Sequence, residues 1–439
     1  MHAPGLILAA PSSGSGKTLV TLGLLAHLRR RGIRVGSAKV GPDYIDPAFH
    51  AAATGRPCLN LDSWAMTPTT LGGLAQAAGQ DADLVVCEGV MGLFDGADVT
   101  HGQSDGSTAE IAALTGWPVV LVIDARGMAG SAAAVLAGFA RLRDKVKVAG
   151  VIFNQVSSDK HRRMIAAACA HACPEVALLG FMPRLEKLVV PSRHLGLVQA
   201  CEHPDLPAFL AAAADAVGGH VDVAALQALA RPAALSGSHP CPLPVLGGRI
   251  AVARDQAFAF AYAGVLEGWR RAGAEIRFFS PLDDQTPDGD AVYLPGGYPE
   301  LFAGRLAANN RFLDGVRRVA DRGGAVFGEC GGFMVLGRSL QDKDGATHAM
   351  AGLLPLDTSF AQRRLHLGYR QAVLLADGPL GAAGQVFRGH EFHFATIAAE
   401  GPGQALFAVT DAGGAALGQA GWLAGRVAAS FLHLIDAGT

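Results

Sequence analysis

The 439-residue chain has few charged residues and few aromatic ones, and the scarcity of charge excludes several classes of protein. Charged side chains make up 17% of the sequence and nearly cancel, which leaves a formal net charge of −2. Such a balance gives no support to binding of nucleic acid or of an anionic membrane surface. No apolar run is long enough to span a bilayer, and the N-terminus lacks a signal-peptide core. We therefore expect a cytoplasmic protein that binds neither nucleic acid nor membrane.

Cysteine is also scarce, with seven residues scattered along the chain at no spacing typical of a disulfide framework or a zinc site. This pattern favours a reducing compartment. Hydrophobic residues, by contrast, make up 50% of the sequence, so large cores can form. The length predicts two or three domains.

Strand and helix patterns alternate in both halves of the chain, which predicts an α/β fold. In the first half the β-α-β rhythm indicates a mostly parallel sheet with helices on both faces. A segment rich in Pro, Gly and Ser separates it from a second region where the rhythm restarts. We predict a first domain over residues 1–235, a linker over 236–247 and a second domain over 248–439.

A glycine-rich loop, Ala10 to Thr18, lies between the first predicted strand and the first predicted helix. Its glycines allow backbone N–H groups to approach phosphate oxygens, Lys17 can reach the β- and γ-phosphates, and Thr18 can coordinate Mg²⁺. The usual phosphate-loop pattern has Gly where this chain has Pro11. The residues predicted to bind ATP are Ser13, Gly14, Ser15, Gly16, Lys17 and Thr18.

Two acidic motifs follow the second and third predicted strands of the first half. The carboxyl ends of strands are where ligands bind in open parallel sheets. We predict that Asp43 and Glu88 hold Mg²⁺ beside Thr18, because a hard cation prefers oxygen ligands. Asp46 and Asp95 supply further carboxylates nearby. The alternative for all four is turn formation and helix capping.

Cys330 lies in the run Gly328-Glu329-Cys330-Gly331-Gly332, where a predicted strand turns sharply into a helix. This nucleophile elbow aims the thiol at a helix N-terminus, which we expect to lower the thiol pKa. A cysteine nucleophile also needs a base and an oxyanion hole. We predict that His433, at the end of a C-terminal strand, is the base. Gly297 and Gly331 are the predicted backbone donors to the oxyanion.

Residues 388–393 form a dense polar segment that includes His390, Glu391 and His393. The three-residue spacing of its histidines is compatible with metal binding. A structural or interface role is the preferred interpretation, and the sequence does not assign a function to these side chains.

These motifs together resemble two known protein groups. Pro295 to Glu300, the Cys330 elbow and His433 look like a triad-type glutamine amidotransferase domain, which implies a flavodoxin-like α/β fold for the second half. The first half resembles a P-loop NTPase. Its segments Lys39 to Pro47 and Glu88 to Gly96 are similar to those of the cobyrinic acid a,c-diamide synthase family, which includes the cobalt-free hydrogenobyrinic acid a,c-diamide synthases.

The resemblance implies a ligase of cobalamin biosynthesis that amidates the c and a carboxylates of a corrin ring. Its small-molecule substrates would be ATP, glutamine and the corrin, with Mg²⁺ as cofactor. Cys330 and His433 would release ammonia from glutamine, and ATP would convert the carboxylate to an acyl phosphate. Tyr44, Asp46 and Asp95 would orient the substrate or this intermediate.

Several alternatives stay open at this point. Cobyric acid synthase, a synthetase acting on a sirohydrochlorin-type ring, and a partitioning-type P-loop ATPase share part of the pattern. Many triad amidotransferases carry a glutamate two residues after the histidine, where this chain has Ile435. The pair Cys330 and His433 therefore has no assigned orienting group. The presence of cobalt in the ring, the order of amidation and the oligomeric state, with a homodimer as one option, are also undetermined.

Overall fold

The computed structural model describes residues 3–100, 102–185, 188, 192–193, 196–237, 241–361 and 363–438. Part of the predicted linker, residues 238–240, lies outside these ranges. The chain forms two compact units. The first comprises Met1–Trp64, Pro68–Gly96 and Ser104–His239, and the second comprises Ala65–Thr67, Ala97–Gln103 and Pro240–Thr439.

The first unit alternates strands with helices. In chain order its elements are β1 (Gly5–Ala9), α1 (Lys17–Arg30), β2 (Val35–Val40), α2 (Asp46–Thr54), β3 (Cys58–Leu61), α3 (Pro68–Ala78), β4 (Leu84–Glu88), α4 (Thr108–Thr115), β5 (Val119–Asp124), α5 (Ser131–Arg141), β6 (Val148–Val156), α6 (Asp159–Ala172), β7 (Ala177–Pro183), β8 (Ser192–Arg193), β9 (Gly196–Leu197), α7 (Leu206–His220) and α8 (Val223–Leu229).

Seven of these strands form one parallel sheet in the order β3-β2-β4-β1-β5-β6-β7. The central strands are buried along almost their whole length, which explains their continuous apolar sequence. The register places Glu88 of β4 beside Leu8 of β1 on one side and Lys39 of β2 on the other. The phosphate loop and the two acidic motifs therefore leave the sheet at the same edge.

The second unit begins with the same rhythm and then changes to antiparallel strands. Its elements are β10 (Arg249–Ala253), α9 (Ala263–Arg271), β11 (Glu275–Phe279), β12 (Ala291–Leu294), α10 (Ala303–Ala308), α11 (Asn310–Asp321), β13 (Ala325–Glu329), α12 (Gly331–Leu336), β14 (Ser339–Gln341), β15 (Thr347–Ala349), β16 (Leu356–Ser359), β17 (His366–Leu374), β18 (Val386–His393), β19 (Thr396–Glu400), β20 (Gln404–Asp411), β21 (Ala416–Ala424), β22 (Val427–Ser430) and β23 (Leu432–Ala437).

A ten-stranded mixed sheet runs in the order β11-β10-β12-β13-β22-β21-β20-β17-β18-β23. The strands from β11 to β22 are parallel, and those from β22 to β23 are antiparallel. β14, β15, β16 and β19 form a separate small sheet. The predicted α/β fold class is confirmed for both halves. Within the described residues, no helix has the length and apolar character that a membrane span requires.

Candidate functional site

The phosphate loop joins the end of β1 to the start of α1. Gly16 has φ of 91°, and a Cβ at this position would lie 2.1 Å from Nδ2 of Asn154. Asn154 also donates a hydrogen bond from Nδ2 to the carbonyl oxygen of Ser15 at 3.0 Å, so β6 supports the loop. Lys17 is buried and donates from Nζ to the carbonyl oxygen of Met91 at 3.1 Å. Burial lowers the pKa of Lys17, although Glu88 nearby opposes the shift.

Glu88 is the fully buried centre of the polar groups at this sheet edge. Thr18 donates from Oγ1 to Oε1 of Glu88 at 2.6 Å, and Nζ of Lys39 lies 3.2 Å from the same oxygen. The other carboxylate oxygen, Oε2, lies 2.7 Å from Nε2 of His50. Burial favours the neutral acid, but Lys39 and His50 outweigh it and hold the pKa of Glu88 well below its usual range. Glu88 is therefore an anion with cationic neighbours on both sides.

Lys39 connects Glu88 to the first acidic motif. Its Nζ lies 2.6 Å from Oδ2 of Asp46 and 4.0 Å from Oδ2 of Asp43. Burial opposes the charge on Lys39, yet the surrounding carboxylates raise its pKa above the ordinary value. Burial and the neighbouring Asp43 raise the pKa of Asp46 to about 7. The second oxygen of Asp46, Oδ1, is buried and has no hydrogen-bond partner within the described part of the chain.

Asp43 and Asp95 also stabilise their own loops. Oδ1 of Asp43 accepts hydrogen bonds from the backbone N–H groups of Ile45 and Asp46, at 2.7 and 3.0 Å, where α2 begins. Oδ2 of Asp95 accepts from the N–H of Gly92 at 2.8 Å. The turn-forming role that the sequence left open is thus present at both positions. It does not replace a ligand role, because each contact uses one of the two carboxylate oxygens.

The two acidic motifs differ in their position relative to the phosphate loop. The N–H of Leu93 donates to the carbonyl oxygen of Ala10 at 2.8 Å, so the segment that carries Asp95 lies beside the phosphate loop. Tyr44 is buried just before α2, two residues from Asp46. The segment of Asp95 therefore borders the predicted ATP-binding loop directly, whereas Asp46 is connected to that loop through Lys39 and Glu88.

The residues present fit a magnesium ion at Thr18 and Glu88. Their side chains offer two hard oxygen donors, the ligand type that Mg²⁺ prefers, and the 2.6 Å hydrogen bond between them would have to open to the roughly 2.9 Å between adjacent ligands of an octahedral ion. Asp43 is connected to them through Lys39. Of the three residues predicted to hold Mg²⁺, Thr18 and Glu88 are therefore in direct contact. Among the described contacts, Asp43 is linked to them only through Lys39, whose charge already balances that of the carboxylates.

The thiol elbow lies at the end of β13 in the second unit. Cys330 has φ of 48° and ψ of −101°, a left-handed backbone conformation that is costly for a residue with a side chain. Its N–H donates to the carbonyl oxygen of Ser430 at 2.8 Å, and α12 begins at the next residue. The strained turn is therefore held by the neighbouring strand β22.

Gly296 lies between the thiol and the predicted base. A Cβ on this residue would stand 2.2 Å from Cε1 of His433 and 3.3 Å from Cβ of Cys330, so only glycine fits there. A Cβ on Gly331 would stand 3.1 Å from the backbone nitrogen of Gly297. The structure thus brings together Cys330 and His433, and likewise the two residues predicted to bind an oxyanion.

His433 is not at the end of a strand, as the sequence suggested. The chain leaves β22 at Ser430, passes Phe431 and begins β23 at Leu432, so His433 is the second residue of a new strand. β23 pairs with β18, where His390 is opposite His433. The break at Phe431 lets two successive strands occupy different positions in the sheet.

Both members of the pair are in their neutral forms. Burial and the nearby Glu300 raise the pKa of the Cys330 thiol far above its ordinary value, although the N–H of Gly331 opposes this. Burial, together with His390 and His393, lowers the pKa of His433 to about 3. The expectation of a lowered thiol pKa is therefore wrong for this structure, because burial outweighs the effect of the N–H at the start of α12. A neutral imidazole can accept the proton of a neutral thiol, but both shifts oppose the transfer, because a general base is most effective when its pKa lies near the working pH.

Two family models match the chain, one in each half. The CobQ/CobB/MinD/ParA nucleotide binding domain matches residues 6–198, and the CobB/CobQ-like glutamine amidotransferase domain matches residues 249–438. Proteins named hydrogenobyrinate a,c-diamide synthase are similar over 98% of this chain and 98% of their own length. Examples are those of Brucella anthropi, with 52% identity, and of Rhodobacter capsulatus, with 54%.

The chain belongs to the hydrogenobyrinate a,c-diamide synthase family. It spans nearly the whole length of these relatives, with the nucleotide-binding model in its first half and the amidotransferase model in its second. The family resemblance found in the sequence is thereby confirmed.

Two buried residues of the family's nucleotide-binding half were not among the predicted site residues. Lys39 and His50 both contact Glu88, at 3.2 and 2.7 Å. A lysine in the fully buried strand β2 was the available signal for Lys39, because a lone cation in an apolar strand requires buried anions. His50 gave no such signal, since its role depends on the tertiary contact that brings α2 within reach of Glu88 in β4.

The polar segment of the amidotransferase half forms an ion-pair cluster. Glu391 accepts from Nε of Arg370 at 2.7 Å and lies 2.9 Å from Nε2 of His393. His366, Glu391 and His393 offer ligand atoms within 4.8 Å of one another. The ring of His393 stacks on Phe431 at 3.8 Å and on His366 at 4.6 Å. Because Arg370 already forms an ion pair with the carboxylate, these contacts support a structural role over metal binding.

Proposed function

We propose that this protein is an ATP- and glutamine-dependent ligase that amidates the a and c carboxylates of hydrogenobyrinate in cobalamin biosynthesis. The observation that carries the proposal is the similarity to relatives of that name along the whole chain, at 50 to 54% identity. The matched nucleotide-binding and glutamine amidotransferase domains account for both co-substrates.

The second half would release ammonia from glutamine. His433 takes the thiol proton as Sγ of Cys330 attacks the side-chain amide carbon, and the N–H groups of Gly297 and Gly331 bind the oxyanion. Collapse of the tetrahedral intermediate breaks the carbon–nitrogen bond. His433 returns the proton to the leaving nitrogen, which departs as ammonia and leaves a thioester. Water then hydrolyses the thioester to glutamate and restores the thiol.

The first half would activate the acceptor. A corrin carboxylate oxygen attacks the γ-phosphorus of ATP, ADP leaves, and ammonia displaces phosphate from the resulting acyl phosphate to form the amide. The phosphate loop and Lys17 would hold the triphosphate. Mg²⁺ bound at Thr18 and Glu88, with Asp43 nearby, would supply charge neutralisation at the phosphates. Tyr44, Asp46 and Asp95 would orient the ring carboxylate.

Cobalt-free substrate is proposed because the relatives are named for hydrogenobyrinate. A partitioning-type ATPase would have no use for the amidotransferase half, which matches its family model over residues 249–438. A cytoplasmic location agrees with the use of ATP and of a reduced thiol, and a homodimer stays a prediction.

The test is turnover by the purified full-length protein with ATP, Mg²⁺ and glutamine. Hydrogenobyrinate, cobyrinate and sirohydrochlorin are supplied separately and in competition, and the products are identified by mass. We expect hydrogenobyrinate to gain two amides and to be preferred. Preferred amidation of another ring would overturn the substrate assignment, and a protein without glutaminase activity would overturn the enzyme class.

A further inference from the structure

The residue immediately before the nucleophile, Glu329, is a buried acid that contacts the strand of the predicted base. It is the last residue of β13, with only 1% of its surface exposed. The N–H of Leu434, the residue after His433, donates to Oε1 of Glu329 at 2.7 Å. The side chain of Glu329 therefore connects the residue before Cys330 to the backbone of the residue after His433.

Glu329 is itself held from the neighbouring strand. The hydroxyl of Tyr293 in β12 donates to Oε2 of Glu329 at 2.5 Å. The ring of Tyr293 stacks on Phe327 and meets Trp269 edge-on, with centroids 5.6 and 5.3 Å away. These packed aromatic contacts leave Tyr293 little freedom, so the oxygens of the Glu329 side chain are acceptors at fixed positions.

A second connection approaches His433 from the other side. The N–H of Cys330 donates to the carbonyl oxygen of Ser430, three residues before His433. Oγ of Ser430 in turn accepts from the N–H of Leu432 at 3.2 Å. The short segment from Ser430 to Leu434 is thus attached to the elbow at both ends, and His433 lies between the two attachments.

We propose that Glu329 is a positioning residue that holds His433 against Cys330, in place of the acid that many amidotransferases carry two residues after the histidine. It acts through the backbone of Leu434, whereas that acid would act on the imidazole itself. This inference rests on the proposed glutaminase function.

The cost of burying Glu329 supports a specific role. Burial raises the pKa of Glu329 to about 8, although the hydrogen bonds from Tyr293 and Leu434 oppose the shift. Within the described residues, no Lys, Arg or His forms an ion pair with it. A buried acid without a cationic partner costs free energy even when protonated, because its polar atoms leave water, and an apolar residue would fill this space without that cost. A positional requirement at the elbow accounts for its presence.

The test compares E329A with E329Q and Y293F in the full-length protein, using glutaminase kcat and KM and ammonia-dependent amidation. Gln keeps an acceptor for the N–H of Leu434, so E329Q is expected to retain most of the wild-type kcat. Loss of the acceptor in E329A is expected to lower kcat by about 10²-fold with little change in the KM for glutamine, because misplacement of a catalytic group by about 1 Å has that effect. Ammonia-dependent amidation is expected to be unchanged.

Two comparisons decide the result. Equal kcat in E329A and wild type, or an equal loss in E329Q and E329A, would overturn the inference. D284A is the matched control, because the Asp284 carboxylate also accepts a backbone N–H, that of Phe312 at 2.9 Å, but makes no hydrogen bond to the segments of Cys330 or His433 among the described contacts. It is expected to keep the wild-type kcat.

If E329A does not fold, the Y293F variant provides the test. That variant loses only the hydroxyl that fixes Glu329, and it is expected to lower kcat without changing KM. An unchanged kcat in Y293F would then overturn the inference. Absence of glutaminase activity in the wild type would instead be a failure of the proposed function, so the two failures are distinguishable.

Discussion

The predicted ATP site around Glu88 and the predicted glutaminase site at Cys330 and His433 differ in the charge state of their buried ionisable groups. At the sheet edge of the first unit, Glu88 is kept charged by Lys39 and His50, and burial is overcome by opposite charges. At the elbow of the second unit, burial dominates, and the Cys330 thiol and the His433 imidazole are both neutral. Each centre therefore sets the protonation state of its groups by a different physical means.

The difference follows from the chemistry proposed for each centre. Transfer of a phosphoryl group needs fixed charges of both signs around a polyanion, and a paired network supplies them without reorganisation. Attack on an amide needs a proton to move from sulfur to nitrogen at the moment of reaction, which a neutral pair permits. Variants that alter only one centre should therefore separate the two half-reactions.

The largest separation is expected from C330A. Loss of the nucleophile should lower glutamine hydrolysis by about 10⁴-fold or more, because no other group can form the thioester. Amidation with added ammonia should continue. Both are measured on the same preparation, with C241A as the control because Cys241 is a free thiol of the same half. Equal loss with both nitrogen donors would contradict separate centres.

Removal of the buried cation should disrupt the other centre. K39M leaves Glu88 and Asp46 without their shared partner, at a cost of about 3–5 kcal/mol in the free energy of unfolding. Amidation with either nitrogen donor should be lost while glutamine hydrolysis continues. Chemical denaturation and the two assays test this, and K160M, at an exposed lysine, serves as the control. A K39M protein with wild-type stability and amidation would remove Lys39 from the network.

Smaller effects are expected at the predicted substrate carboxylates. D46N weakens the hydrogen bond from Lys39, and D95N weakens the one from Gly92. A hydrogen bond to a charged group contributes about 1.5–3 kcal/mol, so amidation should fall about ten- to hundredfold. Glutamine hydrolysis should change less. A variant with unchanged yield of diamide would place its residue outside the substrate site.

The smallest effect is on the pH dependence of stability. The pKa of His433 is about 3 in the folded protein and 6.5 in the ordinary state, so between these values the unfolded chain binds the extra proton. The free energy of unfolding should therefore fall as pH falls below 6.5, by up to about 2 kcal/mol at about pH 5. H433N should show a smaller fall in urea denaturation, whereas H171N, at an exposed histidine, should match the wild type. Identical slopes in H433N and wild type would contradict a neutral buried His433.

Much of the fold was predictable because local patterns and tertiary packing agree. The helix predicted to follow the phosphate loop is observed as Lys17–Arg30, and the strand predicted before the first acidic motif is observed as Val35–Val40. The antiparallel strands from β17 to β21 were not predicted. Their side chains are only partly buried, so they lack the continuous apolar runs that identify the strands of the parallel half.

The sequence alone identified the chemically important segments where the backbone allows only one residue type, because such positions leave a recognisable pattern. Gly16 at φ of 91° and Gly296 between Cys330 and His433 are examples, since a Cβ would collide at either place. The loop and the elbow were recognisable for this reason. Only the tertiary structure decided the charge states and their partners. Pairing of Lys39 and His50 with Glu88, and the attachment of Leu434 to Glu329, depend on strands and helices distant in sequence. Burial and electrostatic interactions depend on distances in the folded protein, and residues far apart in the sequence give no local pattern from which those distances can be predicted.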